Sequence, residues 1–481
     1  MEKKKILIIV TLVCALIAAT IGIAVVAIQG NSKPEEKNAE HYTLRGDDYY
    51  DEGEYTMALA CYTKALTLDD TWTGALHGEA KTNSALGYAE DALASYEKLA
   101  VLVPEDGNIQ LEWVNAMISA GQLGRAKSTM EDLLKTFDDP RMEDLYDQMT
   151  VKKPVADLAS GIYDSYQLVH LTSDNKNSAL YYTLDGSDPT ANSMTCGEKL
   201  VLSAPINNLR VKCINYLGYE SDVLSLDVSI SVPVQQVMNR SYSSLSFAVR
   251  EALKKSYYDP IYNYELAQIT ELYVVADSNF SNASSTVFYR DSFTPGGYTG
   301  YYTYRGDGNM RDLKYMPFLE TLAVCWQRSV NLKDIAALPN LKHLSLLNNN
   351  ITDIAPLAQM TGLETLALGW NNIKDVKALA SLTELTSLGL WNNKITDITP
   401  LAALNKLTYL DVANNQITAI DATAQLTSLQ EFWGNGNQIS FIGPLDPKGN
   451  LQVLMMAGNP LEDYASWKQE HPGVTRTDII Q

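Results

Sequence analysis

The C-terminal part of this 481-residue chain repeats itself with a fixed period. A leucine opens each unit, and each of these leucines lies 22 residues beyond the last: Leu319, Leu341, Leu363, Leu385, Leu407, Leu429 and Leu451. One unit of this length cannot bury its apolar side chains alone, whereas stacked units bury them against one another. The period therefore predicts a solenoid of stacked coils.

Within each unit, the apolar residues and one asparagine recur in the same places. The unit LKHLSLLNNNITDIAPLAQMTG shares its leucine and isoleucine positions with the unit that opens at Leu385. One further position holds Asn349, Asn371, Asn393, Asn415, Asn437 and Asn459, whose amides can bond the backbone of the adjacent turn. This pattern resembles leucine-rich repeats of the bacterial internalin-like type. The resemblance implies an α/β solenoid with a parallel sheet on its concave face, a tight turn or 3₁₀ segment in each unit, and a binding role.

An uncharged apolar segment lies close to the N terminus. Residues 6–28 follow MEKKK and contain 23 residues, which at ~1.5 Å per residue span a ~30 Å bilayer core. We predict a single transmembrane helix at 6–28, a cytoplasmic stub at 1–5 and a linker at 29–39, with the bulk of the chain extracellular, because lysines next to a span stay inside. The alternative is a cleaved signal peptide, whose apolar core usually has ~7–15 residues.

A second period, of 34 residues, follows the linker. It relates Ala58, Ala92 and Ala126, and also Gly53, Gly87 and Gly121. The pattern resembles three tetratricopeptide repeats, and we assign residues 40–150 to an α-helical solenoid of these repeats with a capping helix. A rigid spacer, a homotypic contact and a peptide groove are alternative roles, but the helix faces lack the lysines, arginines and asparagines that would hold a peptide carboxylate.

Residues 151–232 change to short alternating strands broken at Asp185-Gly186 and Asp188-Pro189, which predicts a small antiparallel β-sandwich. The phrase YYTLDGSDPT, followed by LGYESDVLS, resembles the small C-terminal β domain of chitobiases and hexosaminidases, an accessory module. Tyrosines there serve either a sheet or a sugar site. Cys196 and Cys213 are the only candidates for a disulfide, and two free thiols are the alternative.

Residues 233–318 are assigned to an N-terminal cap and an expanded first repeat unit, and residues 319–481 to the repeats and a C-terminal cap. The cap includes an amphipathic helix at Ser244–Ser256. The expansion contains a tyrosine-rich insertion at 276–306, whose rings either pack on the first coil or form a binding edge.

Several aromatic and polar residues occupy outward-facing or rim positions of the repeat strands. In LxxLxLxxN the second, third and fifth positions point away from the core, and the seventh and eighth lie at the rim. We predict a partner-binding face made of Trp326, His343, Trp370, Trp391, Tyr409, Asp411 and Trp433. Tryptophan and tyrosine dominate interface energetics. The alternative is that the rings lean on neighbouring coils and fill the sheet surface.

Charge and composition restrict the function further. A formal net charge of −20 disfavours nucleic acid as a partner. No motif points to a catalytic residue, a metal site or a cofactor. We therefore expect a membrane-anchored surface protein, not an enzyme, that binds a protein on its concave face. The alternatives are an envelope assembly scaffold acting through the helical repeats and an accessory protein that binds a cell-wall or host glycan.

Overall fold

A computed structural model describes residues 38–238, 243–256, 258–275, 309–327, 329–445 and 449–479. The predicted anchor at 6–28 and the tyrosine-rich insertion at 276–306 lie outside these residues. None of the helices described is both long enough and apolar enough to cross a membrane. The chain divides into two compact units: residues up to 155 with 171–197 and 210–225, and residues 156–170 with 198–209 and everything from 226 onward.

Seven helices open the first unit, as the 34-residue period predicts for a helical region. They are α1 (Ala39–Asp51), α2 (Tyr55–Leu68), α3 (Thr73–Leu86), α4 (Ala89–Leu102), α5 (Gly107–Ser119), α6 (Leu123–Leu133) and α7 (Pro140–Met149). The glycines Gly53, Gly87 and Gly121 at the turns have φ of +78°, +78° and +72°, a conformation that side chains other than glycine rarely adopt.

A buried tyrosine joins the first helices of this unit. A β-carbon added at Gly78 would lie 2.3 Å from the ring of Tyr62, and one added at Gly46 would lie 2.6 Å from it. The Tyr62 hydroxyl donates to Asp47 Oδ1 at 2.7 Å. Small residues on α1 and α3 therefore make room for one ring from α2.

Eight strands form two sheets in the predicted β domain. They are β1 (Val155–Ala156), β2 (Gly161–Tyr163), β3 (Gln167–Thr172), β4 (Ser178–Thr183), β5 (Met194–Cys196), β6 (Lys199–Leu202), β7 (Ile206–Asn215) and β8 (Leu224–Ile230). The sheet orders are β1-β3-β6 and β2-β8-β7-β4-β5. The expectation of purely antiparallel pairing is wrong at one place, because β2 pairs with β8 in parallel.

Cys196 and Cys213, the candidates for a disulfide, do not pair, and the alternative of two free thiols holds. Both residues lie opposite Leu180, one on each side of β4, so their α-carbons are two strands apart, about 9.6 Å at ~4.8 Å per strand. A disulfide requires α-carbons within ~7 Å. Both thiols are free.

The second unit contains the solenoid, as the 22-residue period predicts. Its nine-stranded sheet consists, in chain order, of β11 (Glu271–Val275), β12 (Thr321–Cys325), β13 (His343–Ser345), β14 (Thr365–Ala367), β15 (Ser387–Gly389), β16 (Tyr409–Asp411), β17 (Glu431–Trp433), β18 (Val453–Met455) and β19 (Arg476–Thr477). Neighbouring strands pair in parallel, and from β12 to β18 each residue lies opposite the one 22 positions further on.

The opposite side of each coil is a short helical turn. The 3₁₀ helices at Ala355–Gln359, Lys377–Ser381, Thr399–Ala403 and Asp421–Gln425 recur with the period, and α10 (Leu332–Ala336) takes the corresponding place in an earlier coil. Asp353, Asp375 and Asp397 each accept a hydrogen bond from the first backbone N–H of the following turn, at 2.8 to 2.9 Å. These acids therefore cap the turns.

Short elements close both ends of the solenoid. Strands β9 (Gln236–Met238) and β10 (Ile261–Tyr262), with helices α8 (Ser244–Ala252) and α9 (Asn263–Leu266), precede the first coil. Helix α11 (Tyr464–Glu470) covers the last coil and buries Trp467, whose indole stacks on His471 at a centroid distance of 4.0 Å. The leucines between the two ends form one continuous core.

Candidate functional site

One position after each of the seven strands β12 to β18 has a left-handed backbone, and we call it the left-handed position. Its members are Trp326, Asn348, Trp370, Asn392, Asn414, Gly436 and Gly458, with φ between +54° and +78°. The backbone N–H of Trp370 donates to the carbonyl of Trp391 at 2.9 Å, and the N–H of Asn392 bonds the next coil in the same way. The stacking of the coils therefore fixes the conformation, and glycine or asparagine adopts it at the lowest cost.

Trp370 departs from this rule and is also exposed. Its φ is +59°, and 58% of its surface is accessible to solvent. A left-handed backbone costs a residue other than glycine about 1–2 kcal/mol, and an exposed indole recovers little of that by burial. Strain of this kind, observed in a residue that gains nothing from it in the folded chain, is a reason to suspect function.

Trp326 also occupies the left-handed position, but unlike Trp370 it is not exposed to solvent. Its side chain is only 5% exposed and packs in a small cluster with Val275, Cys325 and Leu347. The prediction that Trp326 faces solvent is therefore wrong, because an apolar cluster on the concave surface covers the ring.

The Trp391 indole packs against two glycines. A β-carbon added at Gly389 would lie 2.2 Å from Cζ3 of Trp391, and one added at Gly369 would lie 2.4 Å from its Cε2. The indole consequently lies against the backbone of two adjacent strands and is half-buried. Any larger residue at either glycine would displace the ring.

Tyr409, Asp411 and Trp433 also prove to be buried. Tyr409 and Trp433 pack with Val453 and Met455, and the Tyr409 hydroxyl lies 3.3 Å from Asp411 Oδ2. These three residues, like Trp326, are therefore not exposed as expected, because neighbouring coils cover them, and their part in partner binding stays a prediction.

His343 lies on the same face nearer the start of the solenoid. Its Nδ1 is 3.0 Å from Thr365 Oγ1, and burial lowers the pKa of its imidazole below the usual value. The neutral ring is therefore favoured here.

Three of the predicted residues, Trp391, Asp411 and Trp433, line one cleft, which we call the concave cleft. It has a volume of about 420 Å³ and is completed by Ala413, Asn414, Asn435, Met455, Arg476 and Asp478. Trp370 adjoins it through its backbone bond to Trp391, whereas Trp326 and His343 are not among its lining residues.

Sequence reasoning missed Arg476 and Asp478. Strand β19 pairs Arg476 with Val453, which is 23 residues earlier, so this strand falls out of the 22-residue register. The Arg476 guanidinium lies 5.5 Å from the centroid of the Trp433 ring. These residues follow the cap helix and lie outside the 22-residue repeat, so the repeat pattern could not identify them.

Within the part of the chain that is described, no group of three or more histidine, cysteine, aspartate or glutamate side chains is arranged to hold a metal ion. The concave cleft is lined by rings, amides, one guanidinium and two carboxylates.

Two family models match parts of the chain. The model for leucine-rich repeats matches residues 339–381 and 383–424. The model for the chitobiase/beta-hexosaminidase C-terminal domain matches residues 158–225. Both resemblances are thereby confirmed. The tetratricopeptide resemblance of residues 40–150 stays a prediction.

Solved structures of bacterial leucine-rich-repeat proteins are similar to part of the chain. Internalin C2 of Listeria monocytogenes is 24% identical, with 49% of this chain and 92% of that chain covered and a TM-score of 0.40. A second internalin of that species is 21% identical, with coverages of 50% and 95% and a TM-score of 0.27. A leucine-rich-repeat protein of Leptospira interrogans is 25% identical, with coverages of 34% and 44% and a TM-score of 0.33. A search of curated proteins gave no significant match.

Proposed function

We propose that this chain is a membrane-anchored bacterial surface protein that binds a protein partner on the concave face of its leucine-rich repeats. One observation carries the proposal: Trp370 is held at φ +59° and leaves 58% of its surface in water. Folding gains little from this arrangement, whereas an exposed indole beside a cleft suits an interface, where tryptophan is the commonest anchor. The role is binding, not catalysis.

The anchor in this proposal is the uncharged segment 6–28, with Lys3, Lys4 and Lys5 on the cytoplasmic side. The helical region and the β domain then lie between the membrane and the repeats in the chain, so they act as a stalk. Neither supplies the contact residues.

The partner-binding role is tested by replacing Trp370 alone. The full-length chain and its Trp370→Ala variant, both purified in mild detergent, are used to capture proteins from envelope and culture-medium extracts. We expect the variant to lose one partner. Re-measured with that partner purified, the affinity should fall at least about 30-fold, the equivalent of ~2 kcal/mol for an interface anchor.

Phe441 provides a matched control, because it is an aromatic residue of the same solenoid that is 59% exposed. Phe441→Ala should leave capture unchanged. If Trp370→Ala retains every partner that the parent chain binds, the concave face is not the site. Retention of purified wall polysaccharide by the parent chain, without any protein partner, would favour the glycan-binding alternative.

A further inference from the structure

The acidic groups of the concave cleft already accept hydrogen bonds from the protein. Asp411 Oδ1 accepts from the backbone N–H of Ala413 at 2.9 Å, and its Oδ2 accepts from the Tyr409 hydroxyl at 3.3 Å. Both oxygens of this carboxylate therefore have a donor within the fold.

Asp478 is satisfied in the same way. Its Oδ1 accepts from the backbone N–H groups of Met456 and Ala457 at 2.7 and 3.0 Å, and its Oδ2 accepts from the Asn435 amide. These bonds attach the segment that follows β19 to the last coils, so this acid has a structural role.

Three side-chain donors of the cleft, in contrast, have no hydrogen-bond or ion-pair partner in the described part of the chain. Among the described residues, the Arg476 guanidinium has no carboxylate partner, and the side-chain amide of Asn414 and the indole N–H of Trp391 have no acceptor. The guanidinium lies over the Trp433 ring, which orients it and leaves its fork of N–H groups available. The cleft therefore presents three unengaged donors next to apolar walls.

We infer that the concave cleft binds an acidic peptide segment of the protein partner, with a carboxylate on Arg476 and an adjacent apolar side chain against Trp391 and Met455. This inference rests on the proposed function and specifies the ligand of that site. A carboxylate only accepts hydrogen bonds, so it matches a set of free donors. An arginine also binds a carboxylate with two parallel bonds.

A sugar is the less suitable ligand for this cleft. Sugar hydroxyl groups both donate and accept, whereas every oxygen of the two cleft carboxylates already accepts a hydrogen bond from the protein, so a glycan would share these acceptors with groups of the fold. The chain also carries a formal net charge of −20, so long-range attraction does not favour an acidic ligand. The preference must come from direct contact with Arg476.

A random-peptide display library, selected on the detergent-purified full-length chain, tests the inference. We expect aspartate and glutamate to be enriched in the selected peptides. The best peptide, synthesised with its acid replaced by the corresponding amide, should bind at least about tenfold more weakly, as expected for the loss of a charge-assisted bond. Arg476→Gln should abolish this difference, and Arg476→Lys should retain part of it.

Arg311→Gln is the matched control, since Arg311 is an exposed arginine of the same solenoid outside the cleft. It should leave the acidic preference intact. Peptides that lose binding in Trp370→Ala but show no acidic preference, or keep that preference in Arg476→Gln, would overturn the inference and leave the proposed function standing.

The proposed function fails together with the inference if the library yields no binder, or if the binders are indifferent to Trp370→Ala. Polygalacturonate serves as the acidic-glycan probe. If it binds in an Arg476-dependent way while acidic peptides do not, the peptide assignment is wrong.

Discussion

Two tryptophans at the left-handed position show how one residue type can have opposite roles in equivalent sites. Trp326 and Trp370 have the same φ of +59°, but Trp326 is 5% exposed and Trp370 is 58% exposed. Burial offsets the backbone strain of Trp326, since a buried aromatic ring contributes several kcal/mol. For Trp370 the compensation is smaller, since 58% of its surface stays exposed, so the residue costs stability.

We predict that Trp370→Asn raises the free energy of unfolding by about 1 kcal/mol, because asparagine tolerates the left-handed backbone. Trp326→Asn should instead lower it by about 2 kcal/mol, since the lost burial exceeds the strain relieved. Urea unfolding followed by far-ultraviolet circular dichroism measures both. Trp370→Phe, which keeps the strain, should show no gain. Two asparagine variants that shift in the same direction would refute the argument.

The repeat pattern predicted where these residues lie, but it did not predict their exposure. The period assigns Trp326, Trp391 and Trp433 to the concave side correctly, while their burial depends on neighbours in other coils. The Trp391 ring packs against Gly369 and Gly389. Arg476 covers Trp433 from a strand outside the register. Such contacts between coils arise from three-dimensional packing, which a one-dimensional pattern does not encode.

At the scale of the coil, the repeated asparagines hold successive turns together. Asn393 Oδ1 accepts from the N–H of Ile373 at 3.0 Å, and its Nδ2 donates to the carbonyls of Leu368 and Leu390 at 2.9 Å. Asn371, Asn415 and Asn437 repeat this arrangement. Here sequence reasoning was sufficient, because the role follows from the position in a single coil and its immediate neighbour.

We predict that Asn393→Ala lowers the free energy of unfolding by about 3 kcal/mol, because it leaves a buried N–H and buried carbonyls without partners. Chemical denaturation of the full-length chain measures the loss. Asn372→Ala removes a half-exposed amide of the preceding coil, and it should change stability by less than about 0.5 kcal/mol. Equal effects of the two substitutions would show that the buried amides do not stabilise the stack.

At the scale of the whole molecule, changes of period marked the successive regions of the chain. The segment with the 34-residue period folds into seven helices. The segment of alternating residues folds into two small sheets, and the segment with the 22-residue period folds into the nine-stranded parallel sheet. Strand order was the part that sequence could not supply. The sequence left open whether Cys196 and Cys213 pair, and the strand order decides against it, because β4 lies between the two strands that carry these cysteines.

We predict that residues 6–28 hold the chain at the cell surface. Residues 6–28 form an uncharged run that follows three lysines, and a run of this length spans a bilayer of ~30 Å. In a bacterial host, the full-length chain should stay in the membrane pellet after alkaline extraction. Protease added to cells whose outer barrier has been removed should digest its C-terminal part. A variant without residues 6–28 should leave the pellet. Recovery from the medium of a chain that begins after residue 28 would instead identify the segment as a cleaved signal peptide, because an uncleaved helix with lysines on its cytoplasmic side cannot release the repeats.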